Sequence, residues 1–486
     1  MGLKADDSFL HFVTMGAVAT RHAMQYLKAL GFEPVVLERG STSNKIWSTK
    51  VKRLRLADVV CVKTGVRFEI RGKSDLQVKM SDSPSNPERQ WDAPLGLDDL
   101  IAFVPCDSTT DGVVVRGDPS FFRTGDLKSS EALSKLGPPK SAQEGAERDR
   151  TWPATVPNES GKVLSVDSSR IVTELDSGRK QTYQLKGKTP YVKSGDVFRG
   201  GVTFLAGVVP QLADIKSYTT RQWDPLADLA SDDPTDRYVA ARAIPLRDEN
   251  PTVRRRALEA ALQKEQEPRT RLELASSAAR LGSGLGKNAL LDAVWKPEIG
   301  APEYLAMEAV LILAEIHEPW ATAALVDIAK SSHFWGEEIR QAALWGLGRT
   351  GHKEYDHIIQ FLSDSEDEVV MHAIAAFGAD TPTGPIQQLV SLLVTAPSDR
   401  IRAAASEALR CIGSQAVANA LEAAASSGSP WIPATLGRLS ATVLAGIADR
   451  ALLAAAAPVR MLAEETNWLM ARATSTEYQF LLKQDR

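Results

Sequence analysis

The sequence predicts a multi-domain protein with a mixed α/β domain over residues 1–125, a linker over 126–150, a small β-barrel-like domain over 151–215 and an all-α region over 225–486. Three observations predict it. Residues 1–110 mix helical and strand periodicities. Residues 151–210 are rich in glycine and β-branched side chains that alternate as strands do. Residues 225–486 are rich in Ala and Leu at helical spacing. A chain of 486 residues is also long enough for about three domains.

Composition narrows the class. Hydrophobic residues make up 43% and charged residues 24%, both ordinary for a globular chain. The formal net charge of −4 excludes a uniformly basic nucleic-acid coat, so any site for a polyanion has to be local. The three cysteines, Cys61, Cys106 and Cys411, are widely spaced and form no CxxC pair. This argues against a disulfide framework or a cysteine zinc site, and it fits a reducing cytoplasm. No apolar run reaches the length of a membrane span, and the first residues lack the basic and apolar blocks of a signal peptide.

The α/β domain opens with a helix over Thr20–Leu30, whose Ala23, Leu27 and Leu30 share a stripe; Gly31 ends it. Phe32–Leu37 reads as a strand. From Arg39 to Ala57 there is no acidic residue but six basic ones: Arg39, Lys45, Lys50, Lys52, Arg53 and Arg55. Such a segment suits the phosphate backbone of a nucleic acid, because each neutralised phosphate releases a condensed counterion. A second strand follows, with Asp58 near its start. Lys63–Gly65 is a turn, and Val66–Lys73 is the returning strand.

Side chains alternate across a strand, so Glu69, Arg71 and Lys73 share one face, while Phe68 and Ile70 take the other. If the two strands pair across the turn, Asp58 approaches Glu69. Two carboxylates beside a cationic edge are the hard oxygen donors that Mg²⁺ or Mn²⁺ takes, and a neighbouring base can serve the attacking water. The same residues also suit a surface hairpin in which Asp58 caps a turn and Glu69 pairs with Arg71.

In order and spacing, this constellation resembles the PD-(D/E)XK nuclease superfamily. The resemblance implies a restriction-endonuclease-like domain, with Asp58 and Glu69 as metal ligands and the apolar run Leu100–Val104 as a further central strand. It implies divalent-metal-dependent hydrolysis of nucleic-acid phosphodiesters, DNA above RNA, with restriction or phage defence as the setting. There are two departures. Arg71 stands where the superfamily has its lysine, and arginine stays protonated, so it cannot act as a base. Lys73, two residues further along, would replace it unless Gly72 introduces a bulge that turns it away. Ala57 also stands where a proline is expected. The alternative is a non-catalytic adaptor that carries a degenerate nuclease domain and binds a protein or nucleic-acid partner.

The polar run Leu127–Arg150 reads as a linker or an exposed excursion, and Asp176-Ser177-Gly178 as a hairpin turn within the small β domain. In the helical region a small residue recurs at Ala257, Ala278, Ala309, Ala343, Ala373 and Ala405, with spacings of 21, 31, 34, 30 and 32 residues. A period near 30 fits a helix pair plus its turns, and the pattern resembles HEAT or armadillo repeats. Such arrays bind proteins or nucleic acids along one face, so the fold alone does not choose a function. Within the first repeat, Arg254, Arg255 and Arg256 are candidates for lining a phosphate-binding groove. Ordinary ion pairing with nearby glutamates is the other reading. Arg89 and Trp91 are candidates for contacting nucleic acid, with a core-covering Trp91 as the other reading, and the tryptophans of the helical region are expected to fill its core. The histidines make no metal set, and neither a P-loop nor a GxSxG elbow occurs.

Overall fold

A computed structural model describes residues 7–37, 54–109, 112–141, 146–297, 302–331, 336–349 and 354–465. The chain divides into two compact units, one holding the described residues up to Gly286 and the other those from Lys287 onward.

The first unit begins with helix α1 (Asp7–Ala29), which is longer than expected. Met15, Ala19, Ala23 and Leu27 recur every four residues along it and are all buried against a sheet. Gly31 leaves the helix at φ +93°, where a side chain would be strained. The strands that follow are β1 (Pro34–Val36), β2 (Val59–Cys61), β3 (Arg67–Lys73), β4 (Val78–Asp82), β5 (Leu100–Thr109), β6 (Gly112–Val115) and β7 (Ser120–Arg123). The sheet order is β1-β2-β3-β5-β6, with β7 also on β5. β1, β2 and β3 form an antiparallel meander, whereas β3 and β5 run parallel from Phe68↔Leu100 to Lys73↔Pro105. The Leu100–Val104 run is thus a fully buried central strand, as expected.

Gly72 does not introduce a bulge, because the β3–β5 register is unbroken through it. A Cβ there would lie 2.9 Å from Met15 Cγ and 3.1 Å from Ala19 Cβ, so the glycine lets α1 cross close over the strand. Glu69, Arg71 and Lys73 therefore keep one face.

The described residues of the run expected to be a linker include regular elements. The run holds α2 (Thr124–Ser129) and β8 (Lys135–Pro139), and β9 (Arg148–Trp152) closes it. These strands form a separate sheet in the order β4-β9-β8. The sequence hid it because β8 is mostly exposed and shows no alternation. Trp91 and Trp152 meet edge to face beneath this sheet at 5.0 Å, in a core shared with Ile101, Phe103 and Phe122.

The small β region comprises β10 (Ala154–Thr155), β11 (Gly161–Val166), β12 (Arg170–Leu175), β13 (Lys180–Gln184), β14 (Thr189–Pro190), β15 (Val197–Phe198) and β16 (Ala206–Gly207). The strands form two sheets, β13-β12-β11-β15 and β10-β16-β14, around a core that includes Val163, Ile171, Phe198 and Leu205. The Asp176–Gly178 turn is as expected, with Gly178 at φ +78°.

Helices then run to the end of the described chain. They are α3 (Pro225–Asp228), α4 (Pro234–Ala243), α5 (Pro251–Leu262), α6 (Pro268–Arg280), α7 (Gly284–Trp295), α8 (Glu303–Leu313), α9 (Pro319–Lys330) and α10 (Glu337–Leu347). After them come α11 (Tyr355–Gln360), α12 (Asp367–Ala375), α13 (Thr383–Thr395), α14 (Asp399–Ile412), α15 (Gln415–Ala423), α16 (Trp431–Leu436), α17 (Ala441–Leu444) and α18 (Arg450–Glu465). Proline in the first turn recurs at α3, α4, α5, α6 and α9, where its missing N–H costs nothing.

In the second unit α8, α10, α12, α14 and α16 pack in succession, and α9 and α13 lie against α10 and α14. Ala309, Ala343, Ala373 and Ala405 all lie in that first column and are fully buried. In the first unit α4 packs on α6, which carries the buried Ala278, with α5 beside it. Ala257 lies on α5 and is only half-buried. It is the flanking helix of its pair, which accounts for the spacing of 21.

Candidate functional site

β2 and β3 pair across the Lys63–Gly65 turn, with Val59 opposite Phe68 and Val60 opposite Arg67. One step further along that register places Asp58 opposite Glu69. Each of the two carboxylates is already engaged. Ile70 N–H donates to Asp58 Oδ2 at 2.6 Å. Glu69, only 5% exposed, is ion-paired with Arg71 on its own strand. Arg71 thus does on β3 what the hairpin alternative expected of it.

The rest of the β3 face is charged as well. Arg67 pairs with Asp236 on α4 and lies 3.8 Å from Asp99, whose Oδ1 accepts the Arg67 N–H at 2.9 Å. Burial pushes the Asp99 carboxyl up, and Arg67 opposes it. Tyr238 and Val239 of α4 pack on Leu37, Leu56, Ala57 and Val60, so the start of the helical array covers the β2 side of this face. Arg242 reaches Val36 O at 3.3 Å, and Arg247 reaches Val62 O at 3.0 Å. Asp99 and Asp236 were not foreseen, because their role depends on elements 32 and 169 residues away from Arg67.

Lys73 closes the row. Its Nζ donates to Lys79 O at 2.7 Å and stands 5.8 Å from the Phe103 ring. Burial, followed by the Arg71 and Lys79 cations, pushes its ammonium down to about 7.

Both carboxylates already hold a donor, an N–H on Asp58 and a guanidinium on Glu69, whereas a Mg²⁺ or Mn²⁺ ion takes oxygen lone pairs turned toward one point. Among the described residues, no three His, Cys, Asp or Glu side chains are grouped to hold a metal ion.

The basic candidates separate. Lys45, Lys50, Lys52 and Arg53 lie outside the described residues. Arg55 is exposed. Arg254 does not line a groove. It is 7% exposed and its Nη1 donates to Ile244 O at 2.9 Å, to Pro245 O at 3.2 Å and to Arg247 O, which ties down the turn before α5. Arg256 is exposed and Arg255 half-buried, as three successive helical positions must splay. The glutamates near them serve other partners. Glu265 takes Arg237, and Glu259 accepts from Ser283 Oγ at 2.6 Å.

These features define a class: a sheet-rich N-terminal region followed by an all-helical repeat region. The repeat type can be named more closely, since the family profile of HEAT repeats matches residues 355–436. Solved structures with some likeness include the complex of CpcE and CpcF of phycocyanin lyase from Nostoc sp. PCC7120, at 22% identity over 49% of this chain and 95% of that one, with a TM-score of 0.25. Human deoxyhypusine hydroxylase in complex with glycerol is 18% identical over 48% of this chain and 97% of that one, with a TM-score of 0.22. An engineered protein is 17% identical over 54% of this chain and 76% of that one, with a TM-score of 0.25. Likeness at this level says nothing about activity or partner. None of the curated proteins matches the chain. No helix among the described residues is long and apolar enough to cross a membrane.

Proposed function

We propose that this chain is a binding scaffold whose HEAT-like helices engage a protein partner, and whose N-terminal domain is a degenerate relative of the PD-(D/E)XK nucleases. The observation that carries this reading is the capture of Glu69. The residue expected to be the second metal ligand is buried and held by Arg71, at the position where a nuclease would have its lysine. Arrays of stacked helix pairs present long continuous faces, and binding is their commonest use.

A metal-dependent nuclease is the second reading. It is favoured by the register that sets Asp58 opposite Glu69 and by the helix–meander–parallel-strand order around them. It requires Arg71 to leave Glu69 when substrate arrives.

One experiment separates the two. The purified protein is incubated with plasmid and with RNA, in Mg²⁺, Mn²⁺ or EDTA, beside Asp58→Ala and Glu69→Ala. The scaffold expects intact substrate throughout. It also expects a stoichiometric protein to co-purify from its host after nuclease treatment. Metal-dependent cleavage that both substitutions abolish would overturn the scaffold and establish the nuclease.

A further inference from the structure

Beyond the carboxylate pair, the β3 face runs into a cluster of cations completed by two further segments. Lys73 lies at its floor, half-buried. Lys79 on β4 and Lys140 just after β8 stand at the rim, with side chains 36% and 44% exposed. Arg71 forms the near edge.

The acids in reach do not balance them. Glu69 is taken by Arg71. Asp149 on β9 is shared, at 3.6 Å from Lys79 Nζ and 2.9 Å from Lys140 Nζ. Glu147 is 3.9 Å from Lys140. Lys140 Nζ also meets Ser81 Oγ at 3.1 Å. Among the described residues Lys73 makes no ion pair, and its one hydrogen bond is to the Lys79 carbonyl. A buried ammonium with no counter-ion is costly, and three neighbouring cations add to the cost. An oxyanion arriving between Lys73 and the two rim lysines would relieve both.

We propose that Lys73, Lys79 and Lys140, with Arg71 at the edge, form a binding site for a phosphoryl oxyanion. The site does not depend on cleavage or on a protein partner, so it stands under either reading of function. Terminal phosphate and backbone phosphodiester share this chemistry. The groups facing Lys73 are Arg71 on β3, Lys79 on β4, Asp149 on β9 and Lys140 after β8; burial and the three cations lower its proton affinity, and Asp149 opposes them. An anion beside it reverses that effect, so binding above neutrality draws a proton onto Lys73.

The test is calorimetry on the full chain at about pH 8, in two buffers of different ionisation enthalpy, where the Lys73 amine is largely neutral. The probes are inorganic phosphate and a short DNA duplex. Saturable binding with proton uptake is expected for at least one probe. Lys73→Met, which keeps the apolar stem, should weaken it more than about tenfold and abolish the uptake. The double variant Lys79→Gln/Lys140→Gln should weaken binding and reduce the uptake without abolishing it, because burial is the largest cause of the low proton affinity. Lys216→Gln, in the turn capped by Asp214 and outside the cluster, should bind as the parent does. Binding of phosphate identifies a free phosphoryl ligand, and binding of duplex alone identifies a nucleic-acid backbone. No binding of either probe, binding without proton uptake, or a Lys73→Met protein that binds as tightly as the parent overturns the site.

Discussion

Buried charge is handled differently in two regions of the molecule. In the helical array, Glu407 lies between Arg410, at 2.8 Å from Nε, and Arg438 one helix pair on. Burial raises its carboxyl, but the two guanidiniums outweigh that and hold it below its ordinary value. Arg340 is closed in the same way by Ala329 O at 2.9 Å and by Asp364. On β3 of the N-terminal unit, by contrast, Lys73 hydrogen-bonds a backbone carbonyl, and it faces three cations against the one carboxylate of Asp149. A closed network ties neighbouring repeats together and leaves little free for a ligand, whereas an unbalanced one is poised to accept one.

The comparison breaks most visibly at Glu407. Glu407→Ala leaves two guanidiniums facing each other and should cost about 3 kcal/mol by chemical denaturation. A cost under about 1 kcal/mol would mean that the network is not structural.

His372 offers the next test of the array. It is 2% exposed, its Nδ1 is 2.7 Å from Glu368 O, and burial lowers its value to about 4 from 6.5. The folded value is below the unfolded one, so between about pH 4 and 6.5 the unfolded chain binds more protons and stability falls as pH falls. The array should lose up to about 3 kcal/mol across that window. Thermal melts of His372→Gln should lose that acid sensitivity.

Arg254 should follow. Arg254→Met strands the carbonyls before α5 and should cost about 2 kcal/mol, while Arg255→Ala and Arg256→Ala should stay within about 0.5 kcal/mol. Equal effects at all three would restore the surface-groove reading.

The smallest effect belongs to Lys73. Its folded value is also depressed, so its charged form destabilises the fold below about pH 7, and that cost fades as pH rises toward 10.5. Lys73→Met should therefore raise the melting temperature near neutrality and lose the advantage in alkali. The gain is on the order of 1 kcal/mol after solvent screening.

The sequence was read correctly where local periodicity settles the matter. The α1 stripe and the alternation along β3 follow from steps of 3.6 and 2 residues, the turns at Gly65 and Gly178 from glycine's freedom at positive φ, and the alanine slot from a repeat near 30 residues. Reading failed where pairing is remote. β8 has no strand pattern of its own and exists because β9 pairs with it. Ala257 has the right residue type and the wrong column. Arg254 looks like its two neighbours, and only the turn at Ile244–Arg247 draws it inward.

The sequence alone determined that a sheet-rich region precedes an array of helical repeats, and that Glu69, Arg71 and Lys73 share a face, because backbone geometry imposes those periods on any chain. Tertiary structure decided what those residues do. Whether a carboxylate is a ligand or a counter-ion, and whether a lysine is charged, depends on groups brought within a few ångströms from distant parts of the chain. Here those groups are Asp236, Lys79, Lys140 and Asp149, and no period in the sequence points to them.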